Sequence, residues 1–281
     1  GVKVGKGEIK SSEIGLGATI KKGVEKVEDS HLGGNTHLGT ILLFVPLASA
    51  SGKTLTEKSS MDLELVREDF DLMMRSTTCE DSLEVLDAIQ IALDIGEGLE
   101  KDESSWLGSA DKFADLSVGN LNTREILSEE NISLYEWMDV SSGWDGIARE
   151  LTSKMEASFE VGYPALKKNF EKYGDINMAV VQTFLTILSE YPDTFIARKV
   201  GLEETTNIVQ AVNIGMKKAQ EVSKKAKSIL KVGGITTKEG RERIYKLDEY
   251  LQKSEGKLNP GTTADLTAAS LNIALLNGLK Y

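Results

Sequence analysis

The sequence predicts an all-α protein, a single-domain multi-helix bundle, on three observations. Apolar residues recur at spacings of three and four, as at Leu63, Val66, Phe70 and Met73, which places them on one face of a helix. No segment of useful length alternates apolar and polar residues with the period of two that a half-buried strand needs. Regular strand-helix alternation and internal repeats are both undetectable, so we expect helices to pack against helices in one domain over residues 1–281.

The predicted helices follow from this periodicity and from residues that cap helix starts. Their predicted ranges are, in chain order, 13–27, 36–50, 61–75, 82–93, 133–160, 163–173, 176–189, 203–232, 237–253 and 262–279. The second helix is expected to be buried and capped by Asn35 or Thr36, and the fourth to be capped by Thr77 or Thr78. Residues 94–119, rich in Gly, Ser and acidic side chains, predict a long loop.

Charge and hydropathy exclude some classes of function. The chain has 281 residues and a formal net charge of −11, from 33 basic and 44 acidic residues. This balance disfavours binding to nucleic acid and to anionic membranes. The longest apolar run, 41–50, is too short to cross a membrane and contains Pro46, so no membrane association is expected. A small nucleotide is compatible with this charge, because helix starts, local cations or a metal ion can offset the surrounding field.

The single cysteine, Cys79, excludes an intrachain disulfide and a cysteine-rich zinc site. It is compatible with a cytoplasmic location. The neighbouring Glu80 and Asp81 disfavour its thiolate, so we expect no nucleophilic role. The chain starts at Gly1 without a Met or a signal-peptide pattern, and we expect an N-terminal segment to precede it in the natural protein. The sequence does not predict an oligomeric state.

Three short polar segments each come directly before a predicted apolar helix. They are 33–39 (Gly-Gly-Asn-Thr-His-Leu-Gly), 191–194 (Tyr-Pro-Asp-Thr) and 259–265 (Asn-Pro-Gly-Thr-Thr-Ala-Asp). The first N–H groups of a helix have no intrahelical partner and its dipole favours negative charge there, so each start can hold an anion. We expect the three starts to gather around a common pocket that binds phosphate and a divalent metal.

The second segment continues into a helix that combines a carboxylate with two cations. Asp193 is a candidate Mg²⁺ ligand. Thr194, Arg198 and Lys199 are candidates for contact with phosphate oxygens. The alternative is a helix capped by Asp193 whose basic end faces solvent.

The third segment offers backbone and hydroxyl donors. The N–H groups after Gly261, with the hydroxyls of Thr262 and Thr263, are candidates to cradle a phosphate. The segment is not a Walker loop, because the lysine that such a loop requires is absent. Asp265 is the second candidate Mg²⁺ ligand, although an acid in the first helical turn is equally explained by the helix dipole.

The first segment contains the candidate general base. His37 is one of two histidines and stands beside a double glycine at a helix start, whereas the alternative is a hydrogen-bonded structural histidine. Asn35 and Thr36 are candidate phosphate contacts and equally candidate caps. Asp145 is a second candidate catalytic residue, or simply the cap of the helix that follows it.

The order of these motifs resembles the triphosphoribosyl-dephospho-CoA synthase family, most closely its archaeal-type branch. The motifs that carry the resemblance are 33–37, 77–81 (Thr-Thr-Cys-Glu-Asp), 162–164 (Gly-Tyr-Pro), 192–194 with Arg198-Lys199, and 259–265. The resemblance implies an all-helical fold and transfer of the triphosphoribosyl group of ATP to 3′-dephospho-CoA, with release of adenine. The chain departs from the family pattern at Leu38, where the bacterial enzymes carry a lysine, and in lacking an upstream Lys-Pro-Gly segment.

For that reaction the resemblance implies a division of roles among the candidate residues. Asp193 and Asp265 hold Mg²⁺ on the triphosphate with the help of the two cations, His37 takes the proton of the attacking hydroxyl, and Asp145 is the second choice of base. Two other functions remain open: a metal-dependent hydrolase of a ribosyl or phosphate substrate, and a noncatalytic helical module that binds nucleotide. Adenine release that depends on the acceptor distinguishes the transferase from both.

Overall fold

The computed structural model describes residues 1–30, 37–92 and 122–281, and every regular element within these ranges is helical. The all-α class is therefore confirmed. The chain divides into two compact units, of which the first comprises Gly1–Gly143 and Ile147–Met155 and the second comprises Trp144–Gly146 and Glu156–Tyr281. The expectation of a single domain stays a prediction, and the long loop predicted over 94–119 lies outside the described residues.

The first unit contains the helices of the N-terminal half. They are α1 (Val2–Gly5), α2 (Leu16–Glu28), α3 (Leu38–Lys58), α4 (Leu63–Arg75), α5 (Cys79–Ala92), α6 (Thr123–Glu129), α7 (Leu134–Ser141) and, from its second residue, α8 (Gly146–Thr152). Helix α3 packs against α1, α2 and α4, while α5 packs against α2, α6 and α7. The fully buried side chains of the first unit include Phe70, Met73 and Trp137, as expected for the apolar faces of amphipathic helices.

The start of α5 shows the cap that the sequence predicts and a long-range contact that it does not. Thr78 Oγ1 accepts a hydrogen bond from Asp81 N at 3.5 Å, which confirms Thr78 as the capping residue, and Asp81 Oδ2 in return accepts bonds from Thr78 N at 2.9 Å and Thr78 Oγ1 at 3.1 Å. The other oxygen, Oδ1, accepts a bond from Gly17 N at 2.8 Å. A single buried carboxylate thus joins the start of α5 to the first turn of α2.

Helix α3 is longer than predicted and begins two residues later. It runs over 21 residues from Leu38 and has His37 at the N-cap position, whereas the predicted caps Asn35 and Thr36 lie outside the described residues. By length and composition alone the helix is apolar enough to cross a membrane, which the sequence prediction did not anticipate. Its Leu43 and Leu47 are fully buried, and Lys53 Nζ lies 2.8 Å from the buried carboxylate of Asp69 in α4. These contacts are typical of a core helix.

The second unit contains the helices of the C-terminal half. After a π-helical turn at Ser158–Gly162 they are α9 (Tyr163–Tyr173), α10 (Ile176–Glu190), α11 (Thr194–Gly201), α12 (Ile208–Lys231), α13 (Lys238–Gln252) and α14 (Gly261–Leu276). The predicted range 133–160 is wrong as one helix, because α7 ends at Ser141 and α8 begins only at Gly146. Helix α12 begins five residues after its predicted start, since Asn207 caps it by accepting a bond from Gln210 N at 2.9 Å.

Close backbone contact fixes α11, the helix that carries Thr194, Arg198 and Lys199. A Cβ atom on Gly201 of α11 would lie 1.8 Å from the carbonyl oxygen of Ala211 in α12. In the opposite direction, a Cβ on Gly215 of α12 would lie 1.9 Å from the carbonyl oxygen of Ala197 in α11. Because only glycine fits at both positions, the two helices approach backbone to backbone, and α11 has little freedom to shift.

Candidate functional site

Helices α11 and α14 begin side by side in the second unit, joined by one carboxylate. Asp193 is the N-cap of α11, where its Oδ1 accepts a hydrogen bond from Ile196 N at 3.0 Å. Its Oδ2 accepts two bonds from the first turn of α14, from Thr263 N at 2.8 Å and Thr263 Oγ1 at 2.7 Å. Asp193 is only 1% exposed. The same side chain therefore caps one helix and fixes the start of another.

The environment of Asp193 bears directly on its predicted role as a metal ligand. Burial raises the pKa of its carboxyl, while hydrogen bonds from Thr263 and from the backbone of Ile196 and Phe195 act in the opposite direction. The capping role that the sequence left open is the one that the structure shows. Direct binding of Mg²⁺ would require exchange of at least one of these hydrogen bonds, so that role stays a prediction.

A third segment meets the two helix starts at the hydroxyl of Thr194. Gly146 N donates a hydrogen bond to Thr194 Oγ1 at 2.9 Å, and Thr262 Oγ1 lies 3.3 Å from the same oxygen. The contact is close, because a Cβ on Gly146 would lie 2.7 Å from Thr262 Cγ2. The structure thus brings together three segments that each contain predicted site residues, namely 144–146, 193–199 and 259–265. We call this group the helix-start cluster.

Two cations of the helix-start cluster share one aromatic ring. The Arg198 guanidinium carbon lies 5.2 Å from the centroid of the Phe195 ring, and Lys199 Nζ lies 4.3 Å from it. Arg198 Nη1 also donates to Asp145 Oδ2 at 3.4 Å, and Lys199 Nζ donates to the carbonyl oxygen of Gly256 at 3.1 Å. Both cations are only partly exposed, so their charge is less screened than that of a solvated lysine or arginine.

The partial burial of Lys199 changes its protonation. Desolvation lowers the pKa of its ammonium, and the positive charge of Arg198 lowers it further, whereas the charge of Asp193 acts in the opposite direction. A lysine of this kind releases its proton at a lower pH than a solvated lysine. Its capacity to hold an anion therefore depends on pH.

Phe195 is the residue of this site that sequence reasoning missed. Besides supporting both cations, its ring lies against the backbone of Gly261, where a Cβ would be 2.9 Å from Phe195 Cδ1. An aromatic residue one position after the helix start, with Arg and Lys three and four residues further on, is a signal that the sequence contained. The spacing places all three on one helix face.

The other residues that the sequence predicted for the site are Asp265, Thr263, His37, Asn35 and Thr36. Asp265 is partly exposed and lies beyond the first turn of α14, while Thr263 N and Oγ1 are engaged with Asp193. Metal binding by Asp265 and phosphate binding by Thr263 therefore stay predictions. His37 is exposed at the N-cap of α3, in the first unit, where its carbonyl oxygen accepts a bond from Ile41 N at 2.9 Å. Asn35 and Thr36 lie outside the described residues. The prediction that residues 33–39 join the helix-start cluster is therefore still only a prediction.

A metal site built by the protein alone does not fit the side chains that the structure describes. Within residues 1–30, 37–92 and 122–281, no three or more His, Cys, Asp and Glu side chains lie close enough to hold a metal ion. Magnesium commonly keeps several waters and binds through one or two carboxylates plus substrate phosphates. The predicted Mg²⁺ therefore fits only as an ion that arrives with a triphosphate, for which Asp265 is the more accessible carboxylate.

Two relatives with assigned functions match part of the chain. A protein of Malonomonas rubra, provisionally named 2-(5′′-triphosphoribosyl)-3′-dephosphocoenzyme-A synthase, is 27% identical over 161 residues, which cover 57% of this chain and 46% of the relative. A Pseudomonas fluorescens protein with the same provisional name is 31% identical over 130 residues, which cover 46% of this chain and 39% of the relative. The aligned segments thus span less than half the length of either relative.

A solved structure and a family model match nearly the whole chain. The crystal structure of an Archaeoglobus fulgidus protein, provisionally named triphosphoribosyl-dephospho-CoA synthase, superimposes with a TM-score of 0.64 at 24% identity, covering 99% of this chain and 94% of that protein. This likeness shows that the two share a fold. The model of one protein family matches residues 3–281. The chain therefore belongs to the CitG family, described as ATP:dephospho-CoA triphosphoribosyl transferase.

Proposed function

We propose that this protein transfers the triphosphoribosyl group of ATP to 3′-dephospho-CoA and releases adenine. Membership of the CitG family supplies the reaction and the two substrates. The observation that carries the proposal to this chain is the helix-start cluster, in which α11 and α14 begin together beside Arg198 and Lys199. Two helix starts and two partly buried cations are the groups expected to hold a triphosphate in a protein whose net charge is −11.

The triphosphate is the part of ATP that we expect these residues to bind. Arg198 presents a planar guanidinium that can form two parallel bonds to phosphate oxygens, and Lys199 adds a point charge. Thr194, Gly261 and Thr262 border the same place and are further predicted phosphate contacts. Arg198 is held by Asp145, so phosphate competes with that carboxylate for the guanidinium. Mg²⁺, when bound with ATP, supplies charge neutralisation of the phosphates, with Asp265 as its proposed protein ligand.

The chemical step replaces a bond to nitrogen by a bond to oxygen. An acceptor hydroxyl attacks the anomeric carbon of ATP, the bond from that carbon to adenine breaks, and the hydroxyl proton passes to a base and finally to the departing adenine. The transition state resembles the oxocarbenium ion of glycoside chemistry, because the ring oxygen of the ribose shares the positive charge that develops on the anomeric carbon. His37 is our proposal for the base and Asp145 the second choice. A positioned base contributes about 10²–10⁴-fold to such a rate.

The test is chromatography of the purified protein incubated with ATP, Mg²⁺ and dephospho-CoA. We expect free adenine and a new triphosphoribosylated product in equal amounts, and neither when dephospho-CoA is omitted. Adenine or phosphate released without the acceptor would replace this proposal by the hydrolase. Thermal stabilisation by ATP without any turnover would replace it by the noncatalytic nucleotide-binding module. We also propose a cytoplasmic location, which the single cysteine supports.

A further inference from the structure

A groove opens in the second unit between α10 and α13. Its volume is about 480 Å³, which lies in the range of about 300–1,000 Å³ typical of small-molecule sites. Its walls are apolar. The wall residues are Val181, Phe184 and Leu185 of α10 with Ile244, Leu247 and Leu251 of α13.

One end of the groove is polar and reaches the helix-start cluster. There the lining comes from Gly256, Asn259 and Pro260, the segment between α13 and α14. The carbonyl oxygen of Gly256 accepts the bond from Lys199 Nζ at 3.1 Å, and Pro260 is the N-cap position of α14. The groove and the helix-start cluster therefore share Asn259 and Pro260 and meet again where Gly256 contacts Lys199, so a ligand that fills one can extend to the other.

The charges along the groove indicate which part of a ligand it can hold. Among the residues that line it there is no Lys or Arg, while Asp248 contributes a negative charge. A phosphate would be repelled by this carboxylate and would leave its own charge uncompensated. Asn259 and Gln252 bring amide groups, which donate and accept hydrogen bonds, although Gln252 Nε2 already donates to Asp248 Oδ2 at 2.8 Å. The lining is suited to an uncharged chain that is mostly apolar and carries amides, joined to an anionic group at the polar end.

We propose that this groove binds the pantetheine arm of the acceptor, with the acceptor's diphosphate directed toward Lys199. The inference rests on the proposed function, which makes 3′-dephospho-CoA the acceptor. The pantetheine arm is a flexible chain with two amides and a dimethyl-substituted carbon, so it matches both the apolar walls and the amide-bearing rim. The nucleotide half of the acceptor has the opposite character, because it is charged and does not match a groove that contains Asp248.

The test compares dephospho-CoA with ADP, which has the same adenosine diphosphate but lacks pantetheine. The free terminal phosphate of ADP carries one more negative charge than the diester of dephospho-CoA, so charge favours ADP beside Lys199 and a preference for dephospho-CoA must come from the arm. We expect wild-type protein to bind dephospho-CoA more tightly than ADP by about tenfold or more in a calorimetric titration. Equal dissociation constants for the two ligands in wild-type protein would overturn the inference, without reliance on any variant.

Variants of residues that line the groove test whether the pantetheine arm binds there. Leu251→Trp fills the groove, and we expect it to weaken binding of dephospho-CoA about tenfold or more while ADP binding stays within about twofold. Gln252→Trp obstructs the exposed rim and keeps the test decisive if the first variant fails to fold. Tyr245→Trp is the matched control, since Tyr245 lies on the same helix and is 71% exposed. Equal losses for both ligands, or no loss for dephospho-CoA in a folded variant, would overturn the assignment to this groove.

The result of these binding measurements can be distinguished from the result of the adenine-release test of the proposed function. Adenine release is measured on the same preparations, and its absence in wild-type protein overturns the transfer reaction only. A preference for dephospho-CoA over ADP that Leu251→Trp abolishes supports the groove whether or not adenine appears. Turnover with dephospho-CoA that is unaffected by the groove variants supports the reaction and overturns the groove.

Discussion

The carboxylate of Asp193 accepts two hydrogen bonds from Thr263, although the two residues stand 70 positions apart in the chain. Through this contact the cap of α11 and the first turn of α14 form one structure. Because the carboxylate also accepts Ile196 N, no rotation of the side chain can satisfy one helix without releasing the other. The relative placement of the two helix starts, on which the proposed triphosphate site depends, therefore relies on this buried residue together with the contacts of Thr194 with Thr262 and of Phe195 with Gly261.

Replacing this carboxylate by an amide should destabilise the protein. In Asp193→Asn one acceptor oxygen becomes a donor that faces the donors it used to satisfy, so we expect a loss of about 1–3 kcal/mol in the free energy of unfolding. Urea unfolding measures the change. Asp175→Asn is the matched control, since Asp175 is an exposed cap of α10 with one bond to Met178 N, and asparagine caps helices as well as aspartate does. Similar losses in the two variants would show that Asp193 is only a cap.

A methyl group on Gly146 should disturb the helix-start cluster. Its Cβ would lie 2.7 Å from Thr262 Cγ2, so Gly146→Ala should cost about 1–3 kcal/mol of stability and weaken ATP binding. Thr262→Ser removes that methyl group, and the double variant should recover most of the loss. Gly143→Ala serves as the control, because a Cβ there would meet no atom of the described residues within 4 Å. A double variant as impaired as Gly146→Ala would contradict the steric explanation.

The proposed binding and chemical roles predict opposite kinetic effects. Arg198→Ala should weaken ATP binding by about tenfold to a hundredfold, since a charge-assisted phosphate contact is worth about 1.5–3 kcal/mol, with a smaller change in kcat. His37→Ala should lower kcat by about 10²–10⁴-fold with little change in ATP affinity. Steady-state kinetics and calorimetry separate the two effects. Arg75→Ala, which removes an exposed arginine of α4, is the control; wild-type activity in both test variants would refute both roles.

The lowered pKa of Lys199 predicts a pH dependence of nucleotide binding. The ammonium holds phosphate while it is charged, so ATP affinity should fall as pH rises through a pKa below the ordinary lysine value of about 10.4. Lys199→Arg keeps its charge to above about pH 12, and its affinity should stay constant over the same range. Calorimetric titrations from about pH 8 to about pH 10 compare the two profiles. Parallel profiles would show that Lys199 does not contact the nucleotide.

Much of the helical structure was predictable because its causes are local. Apolar spacing predicted most of the helices to within a few residues, and of the two predicted caps of α5, Thr77 and Thr78, the structure shows Thr78. One failure has a local cause and another a tertiary one. Residues 142–145 interrupt the predicted helix 133–160 at a glycine-containing turn, and α3 continues past its apolar run to Lys58 because its polar residues, such as Lys53, find partners in α4.

The same distinction between local and long-range causes applies to the candidate site. The sequence by itself determined which segments begin helices, which charged residues accompany them and, through the order of its motifs, the family to which the chain belongs. Only the tertiary structure decided that Asp193 is a buried bridge to Thr263, that Thr194 contacts Gly146 and Thr262, and that a groove adjoins Lys199. The physical reason is that periodicity and capping act over three or four residues, whereas these contacts join residues far apart in the chain and exist only once the helices pack.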